Sequence, residues 1–356
     1  MNSIMPNAEN RWPHGVPHID RAIRSSADRS PSMSRGYSVP GHFRKEIAAA
    51  HATSLTRSAA TAAFDQLTVI VLPAAVAVWI APAAPPWLTG CLAALAAFWV
   101  GRQLRALENL VHEASHFNWS RQRRAINDVL AVVLAVIPTG AWLSGYRQSH
   151  FLHHGRFGSA ADPDRRRYSE LALEDLSRTQ FLGFTVGLSR RFWQYQRGWL
   201  GTLGDAPWLT VIPTAWATIW IVLPVWVTQG FRAAGVAAAI WLAAYLLALP
   251  IIRFIAESSE HIYRGSTTVF DATVSNLGLV HRLILHPHGD GYHTVHHMWP
   301  GVPHHRIARL HRFLMVNDCW YATRLQLRTR VLQTPLRAGS TRSGFVGGWL
   351  DHDVPA

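Results

Sequence analysis

The chain has 356 residues, of which 49% are hydrophobic and only 15% are charged, and its net charge is +13. A soluble globular chain usually carries about a quarter charged residues, so this composition indicates a surface that largely faces lipid. With only two cysteines, a disulfide framework is excluded and a cysteine-ligated zinc or iron–sulfur site is disfavoured. The twenty histidines are the unusual feature that a function has to explain.

The two ends of the chain differ in composition from its middle. Residues 1–60 begin with a polar, basic stretch that lacks the apolar core of a secretory signal, and we predict a mostly disordered cytoplasmic arm. Residues 331–356 are rich in Gly, Ser and Arg, which predicts a flexible tail. The sequence between them, residues 61–330, is predicted to form one membrane domain.

Two long apolar stretches dominate this domain. Residues 67–102 are interrupted by prolines between positions 82 and 86, and residues 208–252 are interrupted around 228–232. A membrane-spanning helix needs about 20 residues, so each stretch is long enough for two spans joined by a tight turn. The pattern therefore predicts four transmembrane helices in two hairpins.

A shorter apolar run, residues 126–142, contains Asp128 and Pro138 and is typical of an interfacial or re-entrant segment. The connections outside the two hairpin turns are rich in arginine, and the positive-inside rule places them, with both termini, in the cytoplasm. This topology requires that residues 126–142 do not cross the membrane. The predicted fold is all-α and integral to the membrane, with a cytoplasmic helical cap, and the positive charge needs no nucleic-acid partner.

The histidines form three clusters near the ends of the predicted hairpins, all on one side of a four-span protein. Residues i and i+4 of a helix share a face, so the first cluster can aim two imidazoles at one ion. In H-x-x-H-H, we expect the i and i+3 histidines to share a face and the adjacent histidine to point about 100° away, so that one helix serves two metals. Imidazole suits Fe, Zn, Cu and Ni alike. The clusters are His112 and His116, then His150, His153 and His154, then His293, His296 and His297.

His261 is a ninth candidate ligand, just after the last predicted span, and Glu257 lies one helical turn before it. Four carboxylates near the clusters are candidates for orienting the imidazole N–H groups, while no side chain is nominated as a catalytic acid or base. The six other histidines between positions 281 and 311 are interpreted as surface or capping residues. The candidate carboxylates are Glu257, Glu260, Asp162 and Asp164.

The three histidine clusters, interleaved with two apolar hairpins, resemble the membrane fatty acid desaturase/hydroxylase superfamily over roughly residues 60–320. Two flanking details support the resemblance. Asp162-Pro163-Asp164 follows the second cluster, and residues 289–300, which read Gly-Asp-Gly-Tyr-His-Thr-Val-His-His-Met-Trp-Pro, are similar to the Gly-Glu-Gly-Phe/Tyr-His segment of acyl-CoA desaturases.

The resemblance implies two non-haem iron ions held by the eight clustered histidines and His261, with O₂ as the oxidant. It also implies a membrane lipid environment and a separate electron donor of the ferredoxin, rubredoxin or cytochrome b5 type. Acyl-CoA desaturases carry an asparagine where this chain has Glu257, and the Glu260-His261 pair is more similar to alkane hydroxylases. Desaturation and hydroxylation therefore both stay open.

The same residues leave alternatives to a fatty acyl desaturase open. A fatty acyl chain on a lipid, coenzyme A or carrier is the substrate that the resemblance implies, and a small amino-acid-derived or secondary-metabolite chain is the second candidate. From another functional class, a histidine-rich membrane metal transporter or storage protein would share the hairpins. A transporter, however, needs polar ligands at mid-membrane depth, and the predicted spans contain no histidine or carboxylate.

Overall fold

The computed structural model describes residues 31–338, which are predominantly helical, and the predictions for residues 1–30 and 339–356 lie outside the described residues. Short 3₁₀ helices occur at Gly41–Phe43, Leu173–Asp175 and Pro287–Gly289. The longer helical segments in chain order are α1 Arg44–Ala50, α2 Leu55–Ile80, α3 Pro86–Ser115, α4 Arg124–Thr139, α5 Leu143–Gly155, α6 Pro163–Glu170, α7 Phe181–Asp205, α8 Trp208–Gln229, α9 Phe231–Glu257, α10 Val269–Ala272, the π turn α11 His281–Leu285, α12 His293–Met298, α13 His304–Asn317 and α14 Cys319–Arg324.

Both helical hairpins break where the sequence predicts. The α2 helix ends before the proline-rich turn and packs along α3, while α8 and α9 pack together and are separated only by Gly230 with φ +82°. The α2 helix begins at Leu55 because the Ser54 hydroxyl accepts a hydrogen bond from the Arg57 backbone N–H. The predicted domain boundary at residue 60 thus falls inside a helix, and the division into three segments stays a prediction.

Three helices in the described range are long and apolar enough to cross a membrane, namely α2, α8 and α9. The predicted second span does not meet this standard, since the apolar part of α3 ends at Arg102 and Gln103 after about fifteen residues. A fourth candidate is the bent pair of α4 and α5, which meet at 95°. The structure therefore supports a membrane protein with three or four candidate spans, and the particular four-span arrangement stays a prediction.

The bend between α4 and α5 occurs within the run predicted to be interfacial or re-entrant. Gly140 ends α4 with φ +70°, a left-handed conformation that only glycine adopts at little cost. Asp128 of α4 accepts hydrogen bonds of 2.6 and 3.0 Å from Arg147 of α5. An ion pair across the bend thus explains why an apolar helix tolerates a carboxylate.

Five-residue π turns interrupt three of the apolar helices and end a fourth, α2, and each of the three interrupting turns is followed by a proline two residues later. Pro138, Pro224 and Pro250 follow the π turns Val132–Val136, Thr218–Val222 and Ala244–Ala248. Proline has no N–H, so the carbonyl four residues earlier loses its α-helical partner. A wider turn at that point lets neighbouring carbonyls accept hydrogen bonds from other backbone N–H groups. This matters in lipid because no water is present to hydrogen-bond an unpaired carbonyl.

Two apolar cores position the site. One lies among α2, α3, α4, α8 and α9, and the other joins the segments after the histidine clusters to α13 and α14. A small sheet, which the all-α prediction did not include, ties the C-terminal segment to the second core. Its order is β1-β2-β3, with β1 parallel to β2 and β2 antiparallel to β3. The strands are β1 Ser275–Asn276, β2 Gln326–Arg328 and β3 Leu336–Arg337, the last lying within the predicted tail.

Candidate metal centre

The structure brings all nine predicted histidines together in two adjacent groups. In the first group, His112 and His154 each place Nε2 3.0 Å from Nε2 of His296. His150 Nε2 lies 2.9 Å from His116 Nε2 and 3.1 Å from His154 Nε2. Five imidazoles, which come from α3 and the residue after it, from α5 and from α12, therefore converge on one small volume.

The second group contains the remaining four histidines. His293 Nε2 lies 3.1 Å from the Nε2 atoms of both His261 and His297, and His153 Nε2 lies 3.4 Å from His297 Nε2. His261 follows α9, and its backbone forms an isolated β-bridge with Thr273. The segment after α9, α5 and α12 thus meet at this second position.

The donor set of both groups fits a metal ion. An imidazole nitrogen binds a first-row metal at about 2.1 Å, so two ligands at right angles are about 3 Å apart, as these nitrogens are. A single N–H can satisfy only one neighbouring nitrogen, so four or five converging imidazoles leave lone pairs facing one another. Burial and then neighbouring imidazoles hold the pKa of His261, His296 and His297 well below its usual range, which keeps them neutral and able to bind a cation.

One feature of the predicted helix geometry is wrong. In each H-x-x-H-H cluster, the histidines at i and i+4 enter the same group and the one at i+3 enters the other. His150 joins His154 while His153 faces the second group, and His293 joins His297 while His296 faces the first. Four residues advance a helix by about 400°, which is 40° from a full number of turns, whereas three residues miss by 60°. One helix does serve two positions, as predicted.

Of the predicted carboxylates, Asp162 makes the closest contact with a histidine. Its Oδ1 accepts a hydrogen bond of 2.8 Å from Nδ1 of His153, which fixes that ring. Burial alone would raise the pKa of Asp162, but His153 and backbone N–H groups lower it below its usual value. Asp164 lies farther away, 3.7 Å from His153 Nε2, and pairs with Arg167 at 2.9 Å.

The two predicted glutamates have different surroundings. Glu257 pairs with Arg167 at 3.2 Å and accepts from the Tyr195 hydroxyl at 3.4 Å, and the described contacts of its carboxylate include no histidine ring. Glu260 belongs to a close group with His261 and His293. Burial and then the nearby Asp290 carboxylate raise the pKa of Glu260 well above its usual value.

Asp290, Arg105 and His286 lie beside the histidine groups and were not predicted to act there. The interpretation of His286, and likewise of His281 and His311, as surface or capping residues is wrong, because all three are buried. Asp290 lies 3.4 Å from Nδ1 of His112, 3.0 Å from Nδ1 of His286 and 3.2 Å from Arg105 Nη2. Burial would raise the Asp290 pKa, yet hydrogen bonds from His112 and His286 and the charge of Arg105 hold it well below its usual range. The signal was available, because Asp290 lies in the Gly-Asp-Gly-Tyr-His segment before His293.

Tyr168 of α6 is another residue that the sequence did not single out. Its hydroxyl oxygen accepts hydrogen bonds of 3.1 Å from the backbone N–H groups of Glu260 and His261, and the hydroxyl donates to the Glu257 carbonyl. These contacts join α6 to the segment that carries His261. A tyrosine in a polar helix has no pattern that would reveal this role from sequence alone.

Comparison with known proteins identifies the family to which the chain belongs. Residues 85–321, two thirds of the chain, match the family model described as fatty acid desaturase. A search of the curated proteins found no match. The matched range includes all nine histidines of the two groups and every carboxylate described above.

Proposed function

Because the chain belongs to the fatty acid desaturase family, we propose that it is an O₂-dependent membrane oxidoreductase that holds two iron ions and attacks an unactivated C–H bond. One observation carries the proposal: nine imidazoles converge as two adjacent groups whose Nε2 atoms are 2.9–3.4 Å apart. Ligand type alone would also suit zinc or copper, and iron is favoured because the family is an oxidoreductase family.

Each group of imidazoles would hold one ion. His112, His116, His150, His154 and His296 would bind the first, and His153, His261, His293 and His297 the second. Bound iron supplies the redox chemistry that activates O₂. The chain's own residues would hold the ions, orient the ligating rings through carboxylates and exclude bulk water by burial.

Two reactions with balanced stoichiometry are possible at such a site. Desaturation removes two hydrogen atoms from adjacent carbons and, with two electrons and two protons from outside, reduces O₂ to two water molecules. Hydroxylation places one oxygen atom in a C–H bond and reduces the other to water with the same two electrons and two protons. Both require an external donor, and we expect a ferredoxin-, rubredoxin- or cytochrome b5-like protein.

We place the metal centre and both termini on the cytoplasmic side, as the arginine-rich connections indicate. Exposed arginines there, including Arg123, Arg124 and Arg165, would attract an acidic redox protein. The apolar helices with their exposed leucines, valines and tryptophans support residence in the membrane.

Metal analysis tests the proposal most directly. We would purify the protein in detergent after expression with ⁵⁷Fe, measure metal content by mass spectrometry and record Mössbauer spectra. The proposal expects about two irons per chain, one for each histidine group, with coupled spectra. Zinc alone, or no metal after expression with ample iron, would contradict it.

A further inference from the structure

A column of three aromatic rings leads from the protein surface to the helix that carries the third histidine cluster. Trp320 of α14 is 36% exposed, and its ring centroid lies 5.2 Å from that of Tyr37. The ring of Tyr37 meets Trp299 edge to face at 5.7 Å. Rings at such centroid distances are in contact. Trp299 directly follows α12, and only one residue separates it from His297 of the second group.

Polar contacts hold this column in place. The Tyr37 hydroxyl donates a hydrogen bond of 2.6 Å to Asp318, whose other carboxylate oxygen accepts from the Tyr321 backbone N–H at 3.0 Å and caps α14. Arg35 donates from its guanidinium group to the backbone carbonyl of Met298 in α12. The segment before α1 is therefore fixed to both α12 and α14, and the three rings keep one arrangement.

The surface around Trp320 is apolar at its centre and positively charged around it. Val316, at the end of α13, is 68% exposed, and the guanidinium carbon of Arg324 lies 4.7 Å over the Trp320 ring. We call Arg312, Val316, Trp320 and Arg324 the Trp320 face. Helix α1 packs against α13, and the two helices add further positive charge. Their exposed basic residues are Arg44, Lys45, Arg309 and Arg312.

Both reactions described above need two electrons from a separate protein. Electron-transfer partners form small, transient interfaces, in which Trp and Arg contribute much of the affinity. A positive face complements an acidic partner. We propose that an acidic donor of the ferredoxin or rubredoxin type docks on the Trp320 face and that its electrons pass through Trp320, Tyr37 and Trp299 to the metal centre.

This inference rests on the proposed function, because electrons need a redox centre to receive them. Each transfer oxidises the donor by one electron and reduces the centre by one, so two transfers supply one turnover. The exposed arginines elsewhere on the cytoplasmic side attract the same donor at longer range.

Electron entry can be measured without turnover and without a partner, because both cysteines of the chain are exposed. Cys91→Ser leaves Cys319, the neighbour of Trp320, while Cys319→Ser leaves Cys91, which lies about 30 Å along α3 from His112. We would attach a ruthenium photosensitiser to the remaining thiol of the iron-loaded protein and follow reduction of the iron optically after a laser flash. Reduction should be much faster from Cys319. Equal rates from the two positions, or no reduction from Cys319, overturn the proposal.

Variants labelled at Cys319 separate the route from simple proximity. Tyr37→Leu and Trp299→Leu should slow reduction severalfold, whereas Tyr37→Phe keeps the ring and should keep the rate. Phe313→Leu is the control, because Phe313 packs against Phe43 and is not one of the three rings. Unchanged rates in both leucine variants overturn the route. Iron content is measured on the same samples, so a protein that holds no iron counts against the proposed function instead.

Docking can be measured whether or not iron is bound. We would titrate an isotope-labelled, acidic plant-type ferredoxin and a rubredoxin with the detergent-purified protein and follow NMR line broadening. Trp320→Ala should weaken binding by about tenfold or more, and Arg312→Gln by about two- to fivefold. Arg264→Gln removes the same charge from another exposed position and should leave the affinity as it is. Equal affinity in Trp320→Ala and wild type overturns the docking face, and so does binding of neither probe to the wild type.

Discussion

Asp162 links the imidazole of His153 to the beginning of a helix. Its Oδ1 lies 2.8 Å from Nδ1 of His153 and 2.9 Å from the Asp164 backbone N, while its Oδ2 accepts from the Gly158 N–H at 2.8 Å. The same carboxylate thus caps α6 and fixes the ring whose Nε2 faces the second histidine group. The direction of that ring depends on where α6 begins.

Asp162→Asn should therefore weaken the affinity of the centre for metal without removing a ligand. Loss of a carboxylate that orients a ligating imidazole typically costs about ten- to hundredfold in metal affinity or activity. The measurement is iron content against free-iron concentration, with product formation as a second readout. Asp175→Asn, an exposed carboxylate paired with Arg264, is the control and should match wild type. Equal iron affinity in both variants would show that Asp162 does not orient His153.

Removal of a proposed ligand should have a larger effect. His153→Ala and His296→Ala each take one imidazole from a different group, so each should abolish activity and lower bound iron while the protein still inserts in membranes. His42→Ala, at an exposed position, should keep full iron and activity. Full iron and full turnover in a ligand variant would remove that residue from the centre.

Gly140→Ala should destabilise the bend between α4 and α5. At φ +70°, an added Cβ would lie 2.2 Å from the Leu209 carbonyl oxygen, so both the backbone conformation and the packing oppose it. We expect a loss of about 1–3 kcal/mol, measured as a lower Tm in detergent. Gly90→Ala in α3 meets no atom within 4 Å and should be neutral or slightly stabilising. An unchanged Tm in Gly140→Ala would be inconsistent with the bend described.

Acid should destabilise the segment around α13 through His311. Burial, followed by the charge of Arg312, lowers the pKa of His311 from 6.5 to about 4. Between these pH values the unfolded chain binds a proton that the folded chain does not, so the free energy of unfolding falls as pH falls from 6.5 to 4. The full difference is about 3 kcal/mol.

His311→Asn tests this contribution, since it removes the titrating ring while retaining a group that can hydrogen-bond the Tyr321 hydroxyl 2.9 Å away. The slope of stability against pH should become shallower in this window. His42→Asn, at an exposed position, should keep the wild-type slope. Parallel curves for His311→Asn and wild type would mean that His311 does not contribute.

Electron transfer should depend on salt if arginines dock the donor. The apparent affinity for an acidic ferredoxin or rubredoxin should weaken as ionic strength rises, because exposed charges are screened over about 10 Å at 0.1 M salt. Replacing Arg123, Arg124 and Arg165 together by Gln should reduce both the affinity and its salt dependence. An affinity that is independent of salt in the wild type would rule out electrostatic docking.

The main features of the site could be predicted because they are local in sequence. Histidines at helical spacing have to project from neighbouring turns, and prolines and a glycine mark the hairpin turns whatever the rest of the chain does. His261 could be named as well, since it follows the last apolar run directly. All nine of these histidines lie in the two groups.

The rest depends on contacts between distant segments. Tyr168 contacts the backbone of a histidine in another element, and no spacing rule reveals such a partner. Asp290 lies in the Gly-Asp-Gly-Tyr-His segment, but that motif does not show that its carboxylate contacts His112 of α3. Whether the histidine at i+3 or the one at i+4 joins the histidine at i in the same group depends on where the neighbouring helices lie. Composition alone could not show whether α3 crosses the membrane. Its apolar part is short and continues into the polar, buried half of the helix that carries His112.

Helices α5 and α12 each contribute adjacent histidines to different groups. The ligands of one metal position therefore cannot be arranged independently of the ligands of the other. His153 and His154 share one stretch of backbone, and so do His296 and His297. An ion that draws together the imidazoles of one group also fixes the helices that present the other group. We therefore expect metal loading to be cooperative, with half-loaded protein scarce at every stage of a titration.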